Sequence, residues 1–184
     1  NWSEFEIGVG CLIGFNYYGY VTNCFATGDV RGERYVGGLV GNDNWGFFRD
    51  SYATGNVSGK IFVGGLIGNG FYDRLSDNDI ESCYATGYVL GEDGVGGLAG
   101  FIAYANVRNC SASGDVIGER GVGGLIGTSS SGNLESCYAL GEVEGKEDIG
   151  GLVGINAGSI SNSFAKGNVM GLDKAGGLVG SFGG

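Results

Sequence analysis

The most reactive side chains in this 184-residue sequence are five cysteines, and four of them share one position of a sequence repeat: Cys24, Cys83, Cys110 and Cys137. Serine fills that position in the two remaining full units. A column of such small residues predicts a closely packed interior ladder in which the thiol is an apolar filler. Stacked neighbours about 4.8 Å apart also lie within the Cα range of a disulfide, so a bond within the ladder is the alternative.

The fifth cysteine, Cys11, stands apart because it replaces a glycine. It lies in the phrase GVGCLIG (8–14), and six later copies such as VGGLVG (36–41) have Gly at the same point. An odd cysteine can bond to another molecule, which makes Cys11 the candidate for an intermolecular disulfide. A neutral change at an end coil, which has a neighbouring coil on one side only, is the alternative.

Other side chains offer little catalytic chemistry. Histidine is absent, which removes Ser-His and Cys-His catalysis and the commonest transition-metal ligand. The densest acidic group lies in the segment FYDRLSDNDIES: Asp73, Asp77, Asp79 and Glu81. It lacks the spacing and the glycine of a known calcium loop, so a solvated acidic loop is favoured over a weak calcium site. We therefore predict no enzyme, no cofactor and no metal.

Aromatic side chains concentrate in one segment of the first four units. The candidates for a contact surface are Tyr17, Tyr18, Tyr20, Trp45, Phe47, Phe71, Tyr72, Phe101 and Tyr104. The same segments of the fifth and sixth units read TSSSGN and INAGS. Clustered aromatics are typical of a surface that binds protein or sugar rings, and a local apolar core is the alternative.

A second aromatic set recurs once per unit and is expected to stack along the molecule, because aligned rings stabilise neighbouring strands. Its members are Phe25, Tyr52, Tyr84, Tyr138 and Phe164.

A repeat of about 27 residues must position all of these side chains. Its units begin at Val9, Val36, Val63, Val95, Val122 and Ile149, with a partial seventh at Ala175. Counting the first residue of a unit as repeat position 1, Leu recurs at position 4, Ala at 18 and Val at 22. The third unit carries an insertion of five residues, and the sixth is one residue shorter. Such a regular period is the signature of a repeat architecture.

Glycine identifies the type of repeat. The chain has 42 glycines, most of them in fixed columns, and no proline, while apolar residues still make up 42%, too many for a disordered linker. Each interior glycine would destabilise a helix by about 1 kcal/mol, whereas turns and closely approaching backbones favour it. The sequence predicts an all-β fold, a β-solenoid (parallel β-helix-like) of about six 27-residue coils with roughly three short faces. Residues 1–8 are predicted as an N-terminal cap or leader, and residues 9–184 as the solenoid.

Charge and hydropathy exclude two classes of partner. Ten Lys and Arg against twenty Asp and Glu give a net charge of −10, which repels nucleic acid. No run of 18 apolar residues is present, so we predict no membrane insertion. The start NWSEFE lacks the basic and apolar regions of a signal peptide, which favours a mature protein or an excised fragment.

The units resemble a known family, the GLUG-motif repeats. In VGGLVGNDNWGFFRDSYATGNV (36–57), for example, the Gly-Gly-Leu phrase, the SYATG-like segment and the final G-x-V occur in the order of that motif. The resemblance covers nearly the whole chain. It implies a secreted or surface-anchored protein of bacteria or archaea, hence an extracellular, cell-surface location, with the repeat as scaffold and without catalytic residues.

Two functions follow as expectations. The first is a structural subunit of a sheath, fibre or surface layer, a homo-oligomer or filament built by end-to-end and lateral packing. An open strand edge at the C-terminal AGGLVGSFGG would be either an assembly surface or the result of excision from a longer array. The second is an adhesin stalk or binding module for a glycan or a surface protein.

Overall fold

A computed structural model describes residues 8–72 and 79–183. Every element in these residues is a β-strand, and every strand pair is parallel, so the predicted β-solenoid of about six turns is confirmed. The strands form four sheets, which we name A to D in the order in which one turn visits them. The expectation of three faces was wrong, because the two-residue strands in the second half of each turn form two separate sheets.

Sheets A and B take up the first half of each turn. Sheet A has seven strands: Val9–Gly10, Arg34–Gly37, Ile61–Gly64, Asp93–Gly96, Arg120–Gly123, Glu147–Gly150 and Asp173–Gly176. Sheet B has eleven: Ile13–Tyr17, Tyr20–Thr22, Val40–Asn44, Phe47–Arg49, Ile67–Phe71, Asp79–Glu81, Ala99–Arg108, Ile126–Glu135, Val153–Asn156, Ser159–Ser161 and Val179–Phe182.

Sheets C and D have six strands each. Those of sheet C are Phe25–Ala26, Tyr52–Ala53, Tyr84–Ala85, Ser111–Ala112, Tyr138–Ala139 and Phe164–Ala165. Those of sheet D are Val30–Arg31, Val57–Ser58, Val89–Leu90, Val116–Ile117, Val143–Glu144 and Val169–Met170.

The register joins identical repeat positions of successive turns. Val63 pairs with Val36 on one side and with Val95 on the other. The insertion of the third unit falls between two strands of sheet B, and the register resumes at Ile80, which pairs with Phe48 and Val107. Identical side chains are therefore stacked in columns along the axis.

The columns form two apolar cores. The larger one lies between sheets B and C and contains the position-4 leucines from Leu39 to Leu152, all fully buried, together with the position-18 alanines. The smaller one consists of position-1 and position-22 aliphatic side chains from sheets A and D, such as Val63 and Val89. The sequence pattern predicts the columns at positions 4, 18 and 22, and the structure adds the buried column at position 1.

Glycine at repeat position 3 is required by a contact with the following turn. A Cβ atom on Gly97 would lie 2.1 Å from the carbonyl oxygen of Gly124, whereas one on Gly177, in the last described turn, would meet nothing within 4 Å. The crowding therefore points toward the next turn. The expectation that the first coil is exempt was wrong, since a turn follows it.

Cys11 occupies this position at the expense of a hydrogen bond. In the second turn the Gly38 N–H donates to the Gly64 carbonyl over 3.2 Å, and the later turns repeat this bond. In the described chain, the corresponding bond from Cys11 to the Gly37 carbonyl is missing. At Cys11 the first turn thus departs from the hydrogen-bond pattern that the later turns share.

Candidate functional site: an aromatic surface over a buried polar cluster

Five of the predicted contact residues form one continuous group of rings at the corner in the middle of sheet B. We call this group, Tyr17, Tyr18, Trp45, Phe71 and Tyr104, the aromatic surface. Its ring centroids are 5.1 Å apart for Tyr18 and Trp45, 6.5 Å for Trp45 and Phe71, and 5.8 Å for Phe71 and Tyr104. Tyr17 packs edge-on against Tyr18 and Trp45. Tyr17 and Tyr18 are 57% and 59% exposed, so they are available to a partner.

Three other predicted contact residues lie apart from this group. Tyr20, which is 82% exposed, packs on Phe47. The guanidinium of Arg49 lies 5.0 Å from the Phe47 ring, a cation–π contact. Phe101 packs instead against Phe62, with the ring centroids 5.0 Å apart and the ring planes tilted by 33°.

Tyr72 is not a surface residue, and its assignment to the contact surface was wrong. Its side chain is completely buried. The physical reason is Gly70, two residues earlier: a Cβ atom there would lie 2.8 Å from the Tyr72 ring and 2.9 Å from Ile102. The missing side chain of Gly70 leaves an internal space, and the ring of Tyr72 fills it.

Left-handed backbone at the corner presents the rings of the aromatic surface. Tyr18, Trp45 and Tyr104 have φ values of 55°, 59° and 62°. This conformation is unfavourable for bulky residues and persists only where surrounding contacts hold it.

A buried polar cluster beneath the aromatic surface supplies such contacts. The Asn16 side-chain amide donates to Asp43 Oδ1 over 2.6 Å and to the Gly19 carbonyl over 3.2 Å. The Gly46 N–H donates to Asp43 Oδ2 over 3.1 Å. Asn16 and Asp43 therefore connect Gly19, which follows Tyr18, with Gly46, which follows Trp45. These bonds hold the corner of the first turn against the corner of the second.

Asp43 has an unusual protonation equilibrium. Burial raises the pKa of its carboxyl from 3.8 to about 6, and the hydrogen bond from Asn16 opposes that rise. Burial, and the nearby Asp43 charge, raise the pKa of the Tyr72 hydroxyl well above its ordinary value. The sequence analysis missed this cluster, although the acidic residue and the amide at one repeat position of successive units were visible.

The cysteine column lies inside the solenoid beside sheet C. Cys83, Cys110 and Cys137 are buried, Cys24 is half-buried, and all four are free thiols. Burial raises the pKa of Cys110 well above its ordinary value, which keeps this thiol protonated.

The column does more than fill space. Cys110 Sγ donates to the Ile80 carbonyl over 3.3 Å and accepts from the Cys83 N–H over 3.4 Å. Ser51 makes the equivalent contacts, to the Val21 carbonyl and from the Cys24 N–H. Both Cys and Ser occur at this position because a thiol and a hydroxyl can each donate one hydrogen bond and accept another.

The remaining candidates are distributed as follows. Cys11 is exposed and free. Asp73 and Asp77 of the acidic segment lie outside the described residues, and so does the side chain of Asp79. Glu81 forms an ion pair with Arg49 over 2.7 Å. Within the described ranges 8–72 and 79–183, no group of three cysteine, aspartate or glutamate side chains could hold a metal ion.

The described part of the chain also contains no helix with the length and apolar character needed to cross a bilayer.

Comparison with known proteins identifies the repeat. The family model of the GLUG motif matches residues 91–117 and 146–170. Each segment corresponds to one circuit of the solenoid, from a strand of sheet A to a strand of sheet D. No curated protein and no solved structure matches the chain. The chain is therefore a repeat protein that carries the GLUG motif.

Proposed function

We propose that this chain is a non-enzymatic structural subunit of an extracellular assembly at the cell surface, such as a sheath, a fibre or a surface layer. The observation that carries the proposal is the aromatic surface: exposed rings lie on one side of a repetitive scaffold and are held there by buried hydrogen bonds. Exposed aromatic clusters are typical of surfaces that bind other proteins. Lateral packing through these rings, with end-to-end pairing of strands, would build the assembly.

Electron microscopy and size-exclusion chromatography of the 184-residue chain test the proposal. We expect filaments, tubes or layers whose amount rises with protein concentration. A single monomeric species over a wide concentration range, with or without reductant, would contradict it.

A variant of the aromatic surface identifies the lateral contact. Tyr17→Ser with Tyr18→Ser removes two exposed rings and should shift the onset of assembly to roughly tenfold or higher protein concentration, as expected for loss of central aromatic contacts. Phe25→Ser is the matched control, because Phe25 is also 59% exposed but lies on sheet C. Equal effects of the two variants would exclude a specific role of the aromatic surface.

Cys11 is the proposed covalent contact between subunits. Its exposed, free thiol can form a disulfide with a second copy under oxidising conditions. Cys11→Ser should abolish oligomers that are sensitive to reductant, while the circular dichroism spectrum stays unchanged. Reductant-sensitive oligomers in the Cys11→Ser variant would exclude this role.

An adhesin stalk or binding module is the second candidate. The stacked pair of the exposed Tyr18 and the half-buried Trp45 favours it, because rings of this kind also pack against sugar rings. A glycan array tests the sugar version. Reproducible binding that Tyr18→Ser removes would support it, and an array without binding would speak against it.

A further inference from the structure

The ladder of aromatic rings on the outer face of sheet C is interrupted once. Phe25, Tyr52 and Tyr84 are stacked with centroid distances of 5.2 and 4.7 Å and interplanar angles of 8° and 4°. Tyr138 and Phe164 are stacked in the same way, at 5.3 Å and 6°. One turn between these two groups contributes no ring.

Ser111 occupies the missing position. It pairs in register with Tyr84 on one side and with Tyr138 on the other, so the backbone continues without a break. Two strand spacings separate the flanking rings by about 9.5 Å. A ring placed midway would lie about 4.8 Å from each of them, which is within the range of stacked aromatic pairs. We call this gap the Ser111 slot.

The walls and floor of the Ser111 slot define the chemistry that fits it. The walls are the faces of Tyr84 and Tyr138, both more than one third exposed. The Ser111 N–H already donates to the Cys83 carbonyl, over 3.0 Å. The Ser111 hydroxyl, however, makes no hydrogen bond to any described residue. The slot therefore combines two flat apolar walls with one polar group at its base.

We propose that the Ser111 slot binds one phenol ring, supplied by a tyrosine side chain of a partner polypeptide. The ring would stack between Tyr84 and Tyr138, and its hydroxyl would hydrogen-bond to Ser111. A side chain suits the slot because the slot opens outward from the sheet face. The exposed side chains of Thr86 and Ser113 beside it form a low polar rim on which an extended backbone can lie.

A titration with p-cresol, the side-chain analogue of tyrosine, tests the chemistry of the slot. In two-dimensional NMR spectra we expect saturable shifts at Ser111 and its neighbours, with a dissociation constant on the order of millimolar. Toluene, which lacks the hydroxyl, should bind more weakly.

Ser111→Tyr fills the slot with a ring of the chain itself. We expect this variant to bind p-cresol at least about tenfold more weakly, a change of about 1.4 kcal/mol. Its melting temperature should rise, because the ladder becomes continuous, and this rise shows that lost binding is not lost folding. Thr54→Tyr adds an exposed ring beside sheet C two turns before the slot and should leave binding unchanged.

A peptide distinguishes the source of the ring. Acetyl-Gly-Tyr-Gly-amide should produce the same shifts as p-cresol, and its phenylalanine analogue weaker ones. Undiminished p-cresol binding by Ser111→Tyr, or shifts elsewhere on the surface only, would overturn the proposal. Binding of p-cresol without binding of the peptide would overturn the polypeptide as partner. Self-association is not measured here, so failure of this experiment is distinct from failure of the proposed assembly.

Discussion

Asp43 couples the stability of the solenoid to pH at the scale of one residue. Its carboxyl is fully buried, and its pKa in the folded chain is about 6, against 3.8 when exposed. Between these values the folded state binds more protons than the unfolded state. The contribution of Asp43 to stability is therefore largest below pH 4 and is lost as the pH rises through 6.

Asp43→Asn should remove this pH dependence. For the unmodified chain we expect the free energy of unfolding in urea to be about 1.3 kcal/mol higher at pH 5 than at pH 7, out of about 3 kcal/mol over the full titration. The variant should show a smaller difference, because an amide does not titrate. Asp173→Asn, an exposed position, should behave like the unmodified chain. Identical pH profiles of all three proteins would refute the role of Asp43.

The position-3 glycines permit a second test at this scale. Gly97→Ala places a methyl group where only 2.1 Å separates it from the Gly124 carbonyl oxygen. We expect it to destabilise the chain by about 3 kcal/mol, the upper range of overpacking. Gly177→Ala is the matched control: it meets nothing within 4 Å and should change stability by less than about 1 kcal/mol. Similar urea midpoints for the two variants would contradict the directional contact.

At the scale of the element, the position-16 column shows how the corners before sheet C are built. The sequence has either Cys or Ser there, and small size alone accounts for both. The structure adds that Ser51 and Cys110 each accept an N–H from the preceding turn, and that each lies within hydrogen-bond distance of two carbonyls, one in its own turn and one in the preceding turn. A corner of this kind needs a small side chain with one donor and one acceptor.

Variants of Cys110 distinguish the role of its side chain as an apolar filler of the interior from its role in hydrogen bonding. Cys110→Ser should cost less than about 1 kcal/mol, because the hydroxyl repeats both contacts. Cys110→Ala should cost about 2 kcal/mol, since it leaves the Cys83 N–H without its sulfur acceptor and opens a small cavity. Equilibrium unfolding of the two variants provides the measurement. A serine variant less stable than the alanine variant would favour the apolar filler after all.

At the scale of the element, some features of the fold and of the candidate site could be predicted from the sequence and others could not. Period, parallel strands and buried columns followed from the recurrence of Leu39, Ala53, Val57 and their equivalents. The number of sheets could not be predicted, because a strand of two residues is too short to show an alternation of apolar and polar residues. Tyr17, a candidate for the contact surface, is exposed, whereas the burial of Tyr72 depends on the missing side chain of Gly70, two residues earlier, and this space becomes visible only in three dimensions.

At the scale of the whole molecule, the turns are interchangeable units. Each turn contacts its neighbours through the same register, so stability is expected to be a sum of similar nearest-neighbour terms. The insertion in the third turn changes the chain between two strands of sheet B without altering the pairing on either side.

Removal of one unit tests this modularity. Deletion of residues 122–148 joins the fourth unit to the sixth at identical repeat positions and should give a folded solenoid that is shorter by about 4.8 Å. Deletion of residues 122–135 shifts the register by half a turn and should abolish cooperative unfolding. Small-angle scattering and circular dichroism provide the readouts. A folded half-unit deletion, or an unfolded full-unit deletion, would contradict the modular description.

The hydrogen bonds between turns run along the axis of the solenoid, as the bond from Gly38 to Gly64 illustrates. Tension applied along that axis would load these bonds in their own direction, and the outermost turn would detach while the others kept their pairing. Each detached turn would release about 90 Å of extended chain. A molecule of this construction dissipates mechanical work in small, repeatable steps, as a surface exposed to shear would require.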